Sequence, residues 1–535
     1  MSTGAQRAVA PTTAGMLRYW AERDPDHTAL RWEGGQMTYA ELDARSNQAA
    51  NALVAAGVER GDRVAYLDKN SPEQVELYFA AVKIGAVPTP VNFRLAPPEI
   101  AFVVADARAE VLAVGAELLP TIDRVVDDLG GARVLSIGGE GGAGRQTYAA
   151  WRDAFTPDDP AVPIGAGDVA YQLYSSGTTG RPKGVLLSHA NLVAETELLR
   201  DVVLLDTDSV SLVPMPLFHI GGGGYLLAGL ARGATCVLVR DIVPPALVDT
   251  LEREQVTHTF VVPAVIQLLL SVPGVAERDF SALRCLAYGA SPISERVLAD
   301  AVRIFRCPLL QVYGLTETTG AVVYLPAADH DPDGPHRHRL RAAGLPAPGI
   351  GLRVVDPAMG TDLATGQVGE IWIRGPVVMQ GYWNQPAATG AVIEGGWLRS
   401  GDAGYLDEDG YLYLYDRVKD MIVSGGENIY PAEIENALMA HPAVADAAVI
   451  GIPDDRWGEV PLALVVRRDG GGGAGGAGGE VTEEELIGWC RERLAGFKCP
   501  RRIEWAEALP RNPSGKILKK DLRAPYWEGR DRMVG

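Results

Sequence analysis

The stretch YSSGTTGRPKGVLLSH, residues 174–189, sets one lysine, Lys183, among seven small or hydroxylated residues: Ser175, Ser176, Gly177, Thr178, Thr179, Gly180 and Gly184. An apolar run, VAYQLY, precedes it and a helix-period segment follows, so it reads as a loop between a strand and a helix. Such a loop can offer backbone N–H groups, hydroxyls and an ammonium to a polyphosphate. It is not a Walker A loop, because Pro182 stands where the glycine before the lysine belongs and Gly184 follows where Ser or Thr belongs. Taken alone, an ordinary Gly/Ser turn competes with the phosphate-binding reading.

On either side of this loop, helix-period stretches such as 41–57 and 71–86 alternate with short apolar runs such as DRVAYL (62–67) and ATCVLVR (234–240). The alternation predicts an α/β fold with parallel sheet through about residue 330. From about 345 to 416, strand-like runs broken by glycine (GLRVVD, GEIWIRG, GYLYLYD) predict a β-rich subdomain, and a smaller α/β pattern occupies 420–535. Two units of unequal size are expected, 1–416 and 420–535. LDEDG (406–410) reads as a tight hairpin turn, and the glycine tracts 138–145 and 469–480 as loops without chemistry; the first lacks the strand, helix and acid of a dinucleotide fingerprint.

Composition narrows the function classes. The chain has 535 residues, 47% of them hydrophobic, with 49 Lys plus Arg against 68 Asp plus Glu, a formal charge of −19. A field of that sign repels nucleic acid and anionic lipid, so an anionic ligand must be held by local donors. The five cysteines form no CxxC pair, which argues against a disulfide framework and a structural zinc site. Neither a signal-peptide core nor an apolar run long enough to cross a bilayer is present, so a cytoplasmic protein without an integral membrane segment is expected.

Three further segments accompany the loop: YGLTETTG (313–320), SGDAGYLDEDGYLYLYDRVKDMIVSGGENIYPAEIE (400–435) and PRNPSGKILK (510–519). Together the four resemble, in order and spacing, the motifs of the adenylate-forming superfamily, most closely its fatty-acyl-CoA and coumarate-CoA ligase branch. The resemblance implies a large N-terminal AMP-binding domain with a small, mobile C-terminal α/β lid, swinging about a hinge at 417–419 (Lys419). It also implies a two-step reaction in which a carboxylate and ATP form acyl-AMP and a thiol, that of CoA, then displaces AMP. Both partners of the first step are anions, so charge neutralisation and positioning should dominate catalysis.

Carried over position by position, the resemblance assigns Glu317 to Mg²⁺, Thr316 to the α-phosphate, Tyr313 and Gly314 to adenine and its surroundings, and Asp402 with Arg417 to the ribose. Lys516 would bridge acyl oxygen and phosphate. Gly425 and Gly426 would leave room for the pantetheine arm, and Gly289 and Ala290 would lie near adenine and acyl group. In PMPLFHIGGGGYLLAGL (214–230), His219 would stand at the entrance to the carboxylate site, against a core or capping role. Gly221, Gly222 and the two glycines after them either open a long channel or form a mobile loop. VVPAVIQLLL, beginning at Val261 and Val262, supplies a pocket wall or a buried helix. No Asp occurs between 214 and 230 to hold an amino group, which favours an apolar acid, a medium- or long-chain fatty acid. His330, His336 and His338 lack zinc-ligand spacing and read as a solvated loop.

Alternatives remain open at this stage: a carrier protein as acceptor, an unusual oxyacid, or a catalytically silent homologue. Only 19 residues follow Lys516, so no fused carrier domain is expected. A homodimer is one open partner reading. Another is a lysine acetyltransferase acting on Lys516, because Pro510, Gly515 and Lys516 fit the P-x₄-G-K context in which the family's lysine is acetylated.

Overall fold

The computed structural model describes residues 11–528 apart from 140–143, 176–181, 292, 294, 358, 418–419, 425–426, 430, 455–456, 469–480, 495, 497 and 512–516. Its largest element is a nine-stranded sheet. The neighbouring strands Thr235–Leu238, Val210–Val213, His258–Val261, Cys285–Gly289 and Leu309–Leu315 run parallel, Gly320–Leu325 returns antiparallel beside the last of them, and the short strand Leu345–Pro346 forms the edge. Most of these short runs are buried along their whole length, with the apolar side chains entering one large core cluster.

A second, four-stranded parallel sheet carries Val87–Pro90, Arg63–Leu67, Ala109–Gly115 and Arg133–Ile137. Along Arg63–Leu67, Val64 and Tyr66 enter one buried cluster while Ala65 and Leu67 enter the cluster on the opposite face. The period of two thus builds two cores from one strand. The β-rich expectation is met by a five-stranded antiparallel sheet containing Gly351–Val355, Gly369–Arg374, Trp397–Leu406 and Leu412–Arg417. Its hairpin turns at LDEDG, where Asp407 Oδ1 accepts from Asp409 N (3.0 Å) and Tyr411 N (2.8 Å). Another five-stranded sheet follows from Ile422 onward and has its own buried cluster around Ile422, Val449 and Val465.

Three expectations are corrected. Gly221–Gly224 are not a mobile loop: they form the first turn of the helix Ile220–Ala231. A Cβ on Gly222 would lie 2.2 Å from Pro216 O, and one on Gly223 2.6 Å from the Tyr171 hydroxyl, so the glycines let this helix pack against 215–217 rather than clear a channel at those two positions. His330 is not solvated: it is buried, with Nε2 2.9 Å from the Tyr288 hydroxyl and Nδ1 2.9 Å from Pro326 O. The first glycine tract does follow a strand, Arg133–Ile137, but the next helix opens only at Tyr148 and has five residues, so no dinucleotide fingerprint results. Its residues 140–143, and the tract 469–480, lie outside the described residues.

The N-terminal helix Thr13–Arg23 docks through His189, which is fully buried and accepts from Thr13 N at 3.2 Å on Nδ1. Burial pulls the imidazole pKa down to about 4, and His258 likewise to about 4. Both histidines are neutral when folded, whereas the unfolded chain takes up protons near pH 6.5. Stability present above pH 6.5 is therefore lost as the pH falls toward 4, on the order of 3 kcal/mol per histidine at most. A thermal-midpoint series from pH 7 to 4 should fall over that window. The His189→Gln variant should show a shallower fall, and an unchanged slope would contradict the assignment.

Candidate active site

Parallel strands of an open α/β sheet place ligand sites at their carboxyl ends. Here those ends lead into 214–219, Val262, Gly289 with Ala290, and Tyr313–Glu317, which are positions singled out from sequence. The glycines among them serve close backbone approach. A Cβ on Gly289 would sit 2.2 Å from Val312 O, and one on Gly314 1.7 Å from Gly320 O. Ala290 adopts a left-handed φ of 67°.

The phosphate-loop segment turns out to join two strands, not a strand to a helix. Val169–Ser175 and Lys183–Ser188 are antiparallel, with Ser175 opposite Lys183 and Tyr174 opposite Gly184. The helix begins only at His189. Ser176, Gly177, Thr178, Thr179 and Gly180 lie outside the described residues. A third strand, Gly381–Tyr382, pairs with Lys183–Ser188, and Trp383 N donates to Gly184 O at 2.7 Å. Lys183 Nζ lies 5.0 Å from the centre of the Tyr382 ring.

The Tyr382 hydroxyl then reaches the nine-stranded sheet, donating to Glu317 Oε1 at 3.0 Å, and Ser175 Oγ donates to the same oxygen at 3.4 Å. Glu317 sits in the single turn Thr316–Thr318 between the last two long strands. That turn is braced by Thr318 Oγ1, which accepts from Leu315 N (2.8 Å), and by Met379 N, which donates to Glu317 O (2.9 Å). Two steps back along the strand from Leu315, Tyr313 donates its hydroxyl to Asp402 Oδ2 at 2.7 Å. Asp402 is buried, and the backbone of Arg417 lies opposite it in the neighbouring strand. The structure therefore joins Ser175, Lys183 and Glu317 in one contact set, with Tyr313 and Asp402 forming a second pair on the same strand-and-turn unit. His219 caps the helix Ile220–Ala231, its carbonyl accepting from Gly222 N and Gly223 N and its ring tilted against Phe218 at 4.4 Å. His219 thus occupies the N-cap position through its backbone, and its side chain makes no capping hydrogen bond there. Lys419, Gly425, Gly426 and Lys516 lie outside the described residues.

Residues that sequence reading did not single out support the hairpin from behind. Arg63 lies 3.3 Å over the Trp383 ring and donates through Nε to Gln172 Oε1 at 3.0 Å. Gln172 Nε2 donates to the Tyr174 hydroxyl at 3.1 Å, which itself donates to Asp106 Oδ2 at 2.6 Å, and Trp383 Nε1 donates to Asp106 O at 3.0 Å. Burial lowers the Arg63 pKa to about 10, still far above neutrality, so a cation braces the root of the loop. The local signal was only the short GYWNQP at 381–386, which has no spacing rule of its own.

Residues 17–383 match the family model for AMP-binding enzymes, and residues 433–516 match that for the AMP-binding enzyme C-terminal domain. The chain belongs to the AMP-binding enzyme family. The adenylate-forming resemblance drawn from the four motifs thus holds. Among relatives of this AMP-binding enzyme, the fatty acid–[acyl-carrier-protein] ligase ScoC of Streptomyces coeruleorubidus is 39% identical over 96% of each chain. A feruloyl-CoA synthase of an Amycolatopsis species is 40% identical over 95% of this chain and 97% of its own. The solved structure of a Mycobacterium tuberculosis fatty acyl CoA synthetase superposes with a TM-score of 0.76 at 33% identity, covering 97% of this chain and 99% of its own.

The Gly314–Gly320 contact gives a direct test of the site's construction. Gly314→Ala must push the Glu317 turn off the strand, at a cost of about 3 kcal/mol. The denaturation midpoint should drop and ATP affinity should fall with it, whereas wild-type values for both would refute the described packing.

Proposed function

We propose that this AMP-binding enzyme is an AMP-forming acid–thiol ligase that adenylates an apolar carboxylic acid, a medium- or long-chain fatty acid, and passes the acyl group to CoA. The observation that carries the reading is the Glu317 carboxylate, held by Ser175 and Tyr382 beside Lys183. Adenylation joins two anions, so it needs a cationic side chain near the phosphates and a fixed carboxylate able to hold a divalent cation against them. A carboxylate oxygen of the acid attacks the α-phosphorus of ATP, a new O–P bond forms, and the α–β bridging bond breaks to release pyrophosphate. The thiolate sulfur of CoA then attacks the acyl carbon, and the C–O bond to AMP breaks.

In this reading Lys183 and the 175–180 segment hold the β- and γ-phosphates, Thr316 donates to the α-phosphate, Tyr313 faces adenine, and Asp402 with Arg417 takes the ribose hydroxyls. Gly289, Ala290 and Gly314 let the nucleotide and acyl group approach the backbone, with His219, Gly221, Gly222 and Val262 lining the acid's entry. Glu317 suits Mg²⁺, because both of its described hydrogen bonds fall on Oε1 and this cation prefers one or two carboxylates beside phosphate oxygens. Bound there, the ion would neutralise phosphate charge. Among the described residues no group of three or more His, Cys, Asp or Glu could hold a metal unaided, in keeping with an ion held jointly with the nucleotide.

The small unit, 420–535, would swing about 417–419 so that Lys516 serves adenylation and Gly425–Gly426 later admits the pantetheine arm. Arg523, just beyond Lys516, pairs with Asp420 at 2.6 Å, which favours the unit moving as one body from the hinge onward. A carrier-bound thiol in place of CoA is the second reading, favoured by the identity to a fatty acid–[acyl-carrier-protein] ligase. Homodimerisation, acetylation of Lys516 and a cytoplasmic location belong to the same proposal. Among the described residues no helix is long and apolar enough to cross a membrane.

Acids from acetate to palmitate, with cinnamate and benzoate, should be assayed for AMP formation with CoA, with a carrier protein and without acceptor. Fatty acids with CoA should give the highest turnover, and background release with every acid would reject the ligase reading. Lys516→Gln removes the charge as acetylation does. It should suppress pyrophosphate release while sparing thioester formation from preformed acyl-AMP, and equal loss of both half-reactions would contradict the assigned role.

A further inference from the structure

The helix His189–Val203 starts from the second arm of the phosphate hairpin, capped by Ser188 at the end of the strand Lys183–Ser188. Two side chains four residues apart share one face of it. Asn191 donates through Nδ2 to Pro376 O (2.7 Å) and Val378 O (3.0 Å). Glu195 Oε1 accepts from Ala321 N at 2.9 Å. The segment that Asn191 holds is the one that braces the Glu317 turn, through Thr319 Oγ1 to Val377 O (2.5 Å) and Met379 N to Glu317 O (2.9 Å). Glu195 grips the other end of that turn.

Its surroundings are unusual for an acid. Glu195 is 3% exposed, and Oε2 has no hydrogen-bond partner among the described residues. No cation is among its described partners either. Gly320, with φ +134°, has no room for a side chain, since a Cβ there would lie 2.6 Å from Oε1. The carboxyl fills that space. Ala321 is held from its other side as well, because the Tyr324 hydroxyl donates to Ala321 O at 2.8 Å. Burial raises the Glu195 pKa well above the usual carboxylate range, and the one hydrogen bond it is seen to make, from the Ala321 amide, asks only for an acceptor oxygen.

We propose that Glu195 is a positioning residue of the nucleotide site: by fixing the Ala321 N–H it sets the turn that presents Thr316 and Glu317, and links that turn to the phosphate hairpin. The proposal rests on the reading of Glu317 given above. It requires an acceptor oxygen and no negative charge. Glu195→Gln keeps the acceptor, and Glu195→Leu removes it and orphans a buried N–H.

The experiment compares the two variants with wild type by steady-state kinetics and by hydrogen exchange of the peptide spanning 318–323. Glu195→Leu should raise KM for MgATP about tenfold with KM for CoA unchanged, as expected for one buried amide left without its acceptor. It should also exchange the Ala321 amide faster. Glu195→Gln should stay within about twofold of wild type in KM and match its exchange, since its amide oxygen replaces the acceptor. Wild-type KM and exchange in the Leu variant, or a Gln variant as impaired as the Leu variant, would overturn the proposal. If wild type itself released no pyrophosphate, the ligase reading would fail, and the exchange measurement would still decide whether Glu195 holds the turn.

Discussion

The contact of Tyr382 and Ser175 with the Glu317 carboxylate is where the three-stranded hairpin sheet meets a turn between two strands of the nine-stranded sheet. One partner comes from the start of the phosphate loop, one from a strand two hundred positions further on, and the acceptor from a turn between them in sequence. If that oxygen were elsewhere, Lys183 above the Tyr382 ring and the Tyr313–Asp402 pair would belong to separate surfaces. The bracing around it is correspondingly dense, with threonine hydroxyls, a methionine amide and the two glycines Gly314 and Gly320 holding the turn against the strand.

Net charge makes this local arrangement necessary. A chain carrying −19 draws no anion by its overall field. ATP and a carboxylate must therefore be received by a few cations and oriented donors in a small volume. Arg63, kept cationic against the Trp383 ring, and Lys183 against the Tyr382 ring lean on two consecutive residues, so both positive groups are tied to one short stretch of chain.

Much of this was legible because it was local. Strand-like runs broken by glycine located the strands of the β-rich sheet, the LDEDG hairpin followed from its close-spaced turn residues, and the segment around Lys183 was recognisable from its small residues. What escaped was long-range. Nothing near Tyr382 or Trp383 signals that they pair with Lys183–Ser188, and nothing near Arg63 signals that it lies under Trp383. Gly221–Gly224 looked like a loop because glycine propensity argues against a helix, yet tertiary packing against 215–217 and Tyr171 overrides it. His330 looked solvated because Pro and Gly surround the histidines of that segment, and only the fold supplies Tyr288 as its partner. Glu195 was invisible for the same reason: a glutamate on an amphipathic helix reads as surface until the helix is placed against the Gly320 turn.

In the proposed function Glu317 would receive a divalent cation together with the nucleotide phosphates, and equilibrium binding of ATP tests this without turnover. Affinity should be measured by calorimetry with Mg²⁺ and with chelator, for wild type and for Glu317→Gln. The account predicts that Mg²⁺ tightens ATP binding to the wild type and that this gain largely disappears in the variant. An equal gain from Mg²⁺ in both proteins would contradict it.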